Sequence, residues 1–268
     1  MSHIIVDDLD EGIKRITLNR PQQLNAFTFD MYAEFIGILR ALERDSKTRV
    51  VILTGSGKGF CAGHDLKSAG APPWIDDPDM GKAYAGKHSI SEIGMIPSLI
   101  RHLPQPMICA VNGAAAGMGF ALALAADLCV AARSAKFVNS VHNAGTGHEL
   151  GMSYMLPRAI GTQRAAELLL TARPVLADEA ERIGLVLKTV DDAVLMETAV
   201  ELAKSIMVNV PIGIWLTKQS LWLNQNAGSL EAAIELENRA VAMAQSTVDA
   251  AEKRAAFLEK RVPKFTNR

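Results

Sequence analysis

Two glycine-bearing stretches hold the residues best placed to do chemistry: Phe60-Cys61-Ala62-Gly63-His64-Asp65-Leu66-Lys67 and Ala110-Val111-Asn112-Gly113-Ala114-Ala115-Ala116-Gly117-Met118-Gly119. Each follows a short aliphatic run, residues 50–53 in the first case and 107–111 in the second, and each opens toward a helix-like pattern. Strands that stop in this way release main-chain N–H groups that no ladder satisfies. Two such donors aimed at one oxygen make an oxyanion hole, which stabilises charge developing on a carbonyl or thioester oxygen. Close strand–helix packing would explain either stretch alone; the pair points to carbonyl or thioester chemistry.

Other motifs fail on spacing. The run Gly55-Ser56-Gly57-Lys58-Gly59 lacks the first glycine and the final Ser or Thr of a phosphate loop, so it is read as a tight turn. Gly145-Thr146-Gly147-His148-Glu149-Leu150-Gly151 misplaces the third glycine of a dinucleotide fingerprint. His142, His148 and Glu149 have no metal-ligand spacing, so no metal is expected. No Gly-x-Ser-x-Gly elbow occurs, which removes one class of serine hydrolase.

The elements that must position these stretches are legible from periodicity. Ile4-Ile5-Val6, a turn at 10–12 and an alternating segment at 13–18 predict a hairpin, ended by Asn19-Arg20-Pro21. An amphipathic helix follows, with Met31, Phe35, Ile38, Leu39 and Leu42 on one stripe. Strands are predicted at 50–53, 107–111, 128–132, 136–138 and 185–187, with helices at 117–126 and near 151. Residues 67–82, with Pro72, Pro73 and Pro78, predict a loop suited to a lid, and Tyr84, His88 and Glu92 follow at helical spacing. From 161 onward the pattern is helical, near 161–171, 177–183, 192–208, 212–225, 230–244 and 247–260, with Ser246 and Asp249 as a capping box for the last.

The chain's 268 residues suffice for one large domain or a core with a helical annex. With 28 basic against 29 acidic residues and 5% aromatics, a nucleic-acid partner is not expected. Residues 107–132 are long and apolar, but Asn112-Gly113 and Asp127 divide them into a buried strand–turn–helix–strand unit, so no membrane span is expected. Three cysteines without disulfide or zinc spacing, and an N-terminus without signal-peptide features, predict a reduced, cytoplasmic protein.

From about residue 4 to 265 the chain resembles the crotonase (enoyl-CoA hydratase/isomerase) family. The resemblance lies in Leu18-Asn19-Arg20-Pro21, Leu24-Asn25-Ala26, the two glycine-bearing stretches, Gly161-Thr162-Gln163-Arg164-Ala165, Ala177-x-Glu179-Ala180-x-x-x-Gly184-Leu185-Val186 and Phe257-Leu258-Glu259-Lys260-Arg261. It implies an α/β fold with a crotonase-like ββα spiral core at 1–190 and a C-terminal helical trimerisation region at 191–268. It also implies a homotrimer or hexamer and acyl-CoA thioester substrates, with no cofactor beyond the coenzyme A that the substrate carries. The family's oxyanion donors fall on the main-chain N–H groups of His64 and Met118. Its CoA contacts fall on Gln22, Gln23, Leu24, Asp65, Leu66, Lys67, Phe257 and Lys260.

The resemblance breaks at the acids. The two glutamates of the usual hydratase fall on Ala121 and Val141, neither of which moves a proton. Glu149 aligns with a catalytic aspartate of dienoyl-CoA isomerases and is the expected proton shuttle; an exposed carboxylate at a helix start is the competing explanation. The leading expectation is an enoyl-CoA hydratase/isomerase-type enzyme. The alternatives are thioester or carbon–carbon bond hydrolysis, a catalytically silent acyl-CoA-binding trimer, and a scaffold.

Overall fold

A computed structural model describes residues 2–67, 72–75, 77 and 79–266. The chain winds in repeating units, each a long strand, a short strand and then helix. The long strands form one sheet: β1 (Ile4–Asp10), β2 (Ile13–Leu18), β3 (Val50–Gly55), β5 (Met107–Val111), β7 (Leu128–Ala132) and β10 (Lys188–Val190), in that spatial order. The hairpin pair is antiparallel and every later neighbour parallel. The short strands β4 (Gly59–Cys61), β6 (Ala114–Ala116), β8 (Lys136–Val138) and β9 (Val175–Leu176) make a second sheet.

Burial explains the composition of the long strands. Val51, Leu53, Cys109 and Val111 face the main core, between the sheets and under helices α1 (Phe29–Leu42), α3 (Ile96–His102) and α4 (Met118–Ala125). Val50, Ile52, Ile108 and Ala110 face the other way, against Leu195, Ala199 and Ala203 of α8 (Leu195–Met207). A sheet covered on both faces has no solvent side, so its strands carry unbroken apolar runs. Strand β5, strand β6, α4 and β7 make the buried unit predicted for 107–132.

The remaining helices are α2 (Lys82–Gly94), α5 (Met152–Ile160), α6 (Thr162–Thr171), α7 (Ala177–Arg182), α9 (Pro211–Leu223), α10 (Leu230–Gln245) and α11 (Val248–Glu259). No single helix among the described residues is long and apolar enough to cross a membrane; α8 and α9 pass together only as a pair bent by 105°.

Three local expectations are corrected. The last strand is 188–190 rather than 185–187, because Leu185 and Val186 fill the core from the loop before it. The last helix is capped by Thr247, whose hydroxyl accepts from Ala250 N–H, rather than by Ser246. The segments 59–61 and 114–116, which follow the turns expected at 55–59 and 112–113 and were given no strand, are short strands. Of the expected lid, residues 68–71, 76 and 78 lie outside the described residues.

Candidate active site

The site forms where the short strands end. A single parallel bridge joins Phe27 to His64: Phe27 N–H donates to Gly63 O (2.8 Å) and Asp65 N–H to Phe27 O (2.8 Å). That pairing uses the flanking residues' groups and turns the His64 N–H away from Phe27, where no main-chain acceptor among the described residues meets it. Met118 opens α4, so its N–H has no carbonyl one turn back. The residues just before these two, Gly63 (φ 101°) and Gly117 (φ 50°), adopt backbone that L side chains resist. A Cβ on Gly117 would lie 3.7 Å from the Gly63 Cα, so the two chain reversals touch and the amides after them start from adjacent points.

Polar side chains lock this arrangement. Asn25 is fully buried; its amide donates to Ser56 O (2.9 Å), Gly59 O (2.8 Å) and Phe60 O (3.2 Å), and its carbonyl accepts from Arg20 N–H (2.8 Å). Asn112 accepts from Gly55 N–H (3.1 Å) and donates to Gly57 O (3.0 Å) and Gly59 O (3.2 Å). Together they fix the Gly55–Gly59 turn that delivers β4 to the site. Arg20 pairs with Asp65 (2.9 Å) and donates to Ala26 O. Burial pushes the Asp65 carboxyl up, but Arg20 and the Lys67 N–H outweigh it and hold the group below the usual carboxylate range. These clamps were not foreseen from the sequence, although each residue belongs to a motif quoted above.

Glu149 stands at a tight reversal before α5, where Leu150 (φ 60°) and Gly151 (φ 70°) are consecutively left-handed. Leu150 is held there by its buried side chain. The Glu149 residue as a whole is exposed, yet enough protein crowds its carboxylate that desolvation raises its proton affinity. No described residue donates to it or pairs with it. A carboxylate desolvated without compensation is the form a general base takes.

An aromatic wall flanks the His64 junction. The His64 imidazole stacks on Tyr32 (centroids 5.8 Å apart, 17° between planes) and tilts against Phe29 (5.1 Å), and Phe29 meets Trp74 edge-on (6.0 Å). Burial depresses the imidazole's proton affinity, opposed by Asp65, so the ring is neutral near pH 7. Tyr32, absent from the sequence-level candidates, is 2% exposed, and its phenol is pushed up by burial first and then by Cys61 and Glu149.

The expected CoA contacts separate into two groups. Gln22, Gln23 and Leu24 follow the hairpin on an exposed turn, and Leu66 and Lys67 are exposed beside them in the bridge-linked segment. The α11 residues do not join them within the chain. That helix and the following tail are fastened near the other end of β3, by Lys253 Nζ to Val208 O (2.6 Å), Thr266 N–H to Asp249 (2.7 Å) and Arg49 over the Phe265 ring (5.3 Å). Phe257 is 78% exposed there, and Lys260 ends the helix in left-handed backbone. Tyr84 and His88 lie exposed on α2, and Glu92 approaches Arg40 at 4.0 Å. His142 bonds Leu169 O (2.8 Å), and His148 is exposed. Cys61 is buried, and desolvation pushes its thiol up to about 12. Among the described residues no three His, Cys, Asp or Glu side chains converge to hold a metal.

A family model described as enoyl-CoA hydratase/isomerase matches residues 8–268. The chain belongs to the enoyl-CoA hydratase/isomerase family. It is 40% identical over its whole length to a probable enoyl-CoA hydratase, echA12, of Mycobacterium bovis, covering 94% of that protein. It is 36% identical to the 1,2-epoxyphenylacetyl-CoA isomerase of Escherichia coli K12, with both chains covered completely. Among solved structures, a probable enoyl-CoA hydratase/isomerase from Mycobacterium abscessus superposes with a TM-score of 0.92 at 38% identity, covering 100% of both chains. The spiral of ββα units is therefore the crotonase fold, and the protein is an acyl-CoA-processing enzyme of the hydratase/isomerase type.

Proposed function

We propose that the enzyme shifts a double bond along an acyl-CoA thioester. The thioester oxygen accepts from the His64 and Met118 N–H groups, and Glu149 removes a proton from the α or γ carbon. That C–H bond breaks, a carboxyl O–H forms, and the electron pair is delocalised onto the thioester oxygen as an enolate. Return of the proton to the other carbon completes an isomerisation with no other reactant. The observation that carries this reading is the uncompensated Glu149 carboxylate. Main-chain donors serve whatever the side chain, so His and Met at these positions are no obstacle. Ala121 and Val141, at 0% and 7% exposure, supply no second acid, which favours one-base isomerisation over two-glutamate hydration.

CoA binding in this reading runs along Gln22, Gln23 and Leu24 and the 65–67 segment, and is completed by Phe257 and Lys260 of a neighbouring protomer. The apolar exposure of Leu221, Leu223, Leu230, Val241, Phe257 and Leu258 on α9–α11 supports a homotrimer or hexamer. Three buried unpaired thiols support a cytoplasmic protein, and no cofactor is needed.

The test is Glu149→Gln against a panel of 2- and 3-enoyl-CoA thioesters. The expected result is a loss of about 10²–10⁴-fold in turnover with unchanged CoA-thioester affinity by calorimetry. Undiminished turnover refutes the assignment. A wild-type protein that binds the thioesters but converts none is a silent binder.

A further inference from the structure

Ser140 brings a side-chain hydroxyl to the meeting of the two chain reversals. A methyl built on Gly117 would stand 3.3 Å from Ser140 Oγ and 3.7 Å from Gly63 Cα. One point beside Gly117 is therefore close to the hydroxyl and to both turns whose next residues, His64 and Met118, carry the proposed donors. The fold fixes this placement. Strand β8 pairs with β6 through Val138 and Ala116, and Gly117 N–H donates to Val138 O (3.2 Å), which sets the chain after β8 against the Gly117 turn. Asn139, 1% exposed, donates to Leu169 O of α6 (3.2 Å), and His142 bonds the same oxygen (2.8 Å). Ser140 lies between these two anchors, at the start of the turn Ser140–Ala144. Serine hydroxyls in turns can bond neighbouring main-chain groups. This one does not: no described residue hydrogen-bonds it, and the half-buried side chain leaves its oxygen open rather than sealed.

We infer that Ser140 Oγ–H is a third donor to the thioester oxygen, completing the oxyanion site that the His64 and Met118 N–H groups begin. This rests on the oxyanion reading above and not on the role of Glu149. A hydroxyl rotates to suit its partner, and an enolate oxygen has lone pairs for more than two donors. The serine transfers no proton. Its hydrogen bond strengthens as negative charge gathers on the oxygen, so it stabilises the enolate more than the neutral thioester. The amides at 64 and 118 survive almost any substitution, whereas the donor at 140 exists only while that residue carries a hydroxyl.

Ser140→Ala removes the hydroxyl and adds nothing. Acetoacetyl-CoA, a 3-oxoacyl thioester that ionises to an enolate, is the probe. Bound to wild type, Ser140→Ala, Glu149→Gln and the double variant, it is titrated with pH by the ultraviolet absorbance of its enolate. Turnover of 3-enoyl-CoA thioesters and circular dichroism accompany the titrations. Wild type should form the enolate at lower pH than the free thioester does. Ser140→Ala should raise that midpoint by about one pH unit and lower kcat about tenfold at unchanged KM, the worth of one hydrogen bond to a charged group. The same rise should separate the double variant from Glu149→Gln. A serine that only fills space predicts the wild-type midpoint and kcat in Ser140→Ala, and that outcome overturns the assignment. A rise that disappears in the Glu149→Gln background also overturns it, because the hydroxyl would then act through Glu149. If wild type binds the probe without lowering its midpoint, the oxyanion reading fails and the Ser140 role with it.

Discussion

Gly117→Ala separates the oxyanion proposal from a merely structural glycine. Gly117 sits at φ 50° and ψ −111°, near the mirror image of extended backbone, where a residue with a Cβ costs on the order of 1–3 kcal/mol. The added methyl would also stand 3.3 Å from Ser140 Oγ, tight against that side chain, and 3.7 Å from Gly63 Cα, in ordinary contact with the other oxyanion junction. The least costly relief is rotation about the 117 backbone, which swings the Met118 N–H off its line. Losing one oxyanion donor is worth about 2.7–4 kcal/mol, or 10²–10³ in kcat. The variant should therefore melt a few degrees lower, as 1–3 kcal/mol implies for a chain of this size, and lose roughly a hundredfold or more in kcat. Gly161→Ala is the control: φ is 83°, nothing lies within 4 Å of the added methyl, and no proposed donor follows it. It should lose comparable stability and keep its turnover. Differential scanning calorimetry and the absorbance of the conjugated thioester supply both quantities. A Gly117→Ala enzyme with wild-type kcat and lowered Tm would show that the Met118 amide does not hold the oxygen.

Two further predictions concern charge. The Glu149 carboxyl binds its proton more tightly folded than unfolded, where its value is 4.5, so ionising it weakens the fold as pH rises above that point. Glu149→Gln should accordingly raise Tm at pH 7 and leave it unchanged near pH 3, by calorimetry at both pH values; equal gains at both would contradict the desolvation account. Lys218, 5% exposed, donates to Ile100 O (2.9 Å) and Gln105 O (2.9 Å) and pairs with Asp127 (2.8 Å), tying α9 to the base of β5. Lys218→Met strands Asp127 and should cost about 3–5 kcal/mol in urea unfolding, with Asp127→Asn restoring part of it; a loss under 1 kcal/mol would mean the pair is hydrated.

The long strands were legible because both faces of their sheet are buried, which forces unbroken runs such as Val50-Val51-Ile52-Leu53. Of the second sheet only Lys136–Val138 was. Its strands are three residues or fewer and include Ala114-Ala115-Ala116, whose side chains carry no β preference, so tertiary packing alone extends them. The edge strand Lys188–Val190 was displaced toward Leu185-Val186-Leu187 because two of those residues are apolar for the core's sake. At the site, the paired glycines signalled the junctions through their order, and Glu149 entered by family position. Tyr32, whose ring packs on His64, was hidden beside a helical stripe that reads as ordinary core. Apart from the Arg20 N–H five residues from Asn25, the partners that Asn25 and Asn112 clamp lie 31 to 57 residues away, beyond the reach of periodicity.

The central claim is that two main-chain hydrogens, from residues 64 and 118, meet on one thioester oxygen. Crystals of the Glu149→Gln variant soaked with a 3-enoyl-CoA test it most directly. The account predicts the thioester oxygen about 2.7–3.1 Å from both the His64 and the Met118 nitrogen. An oxygen bound to one of them or to neither, with the acyl chain still in the pocket, would contradict it.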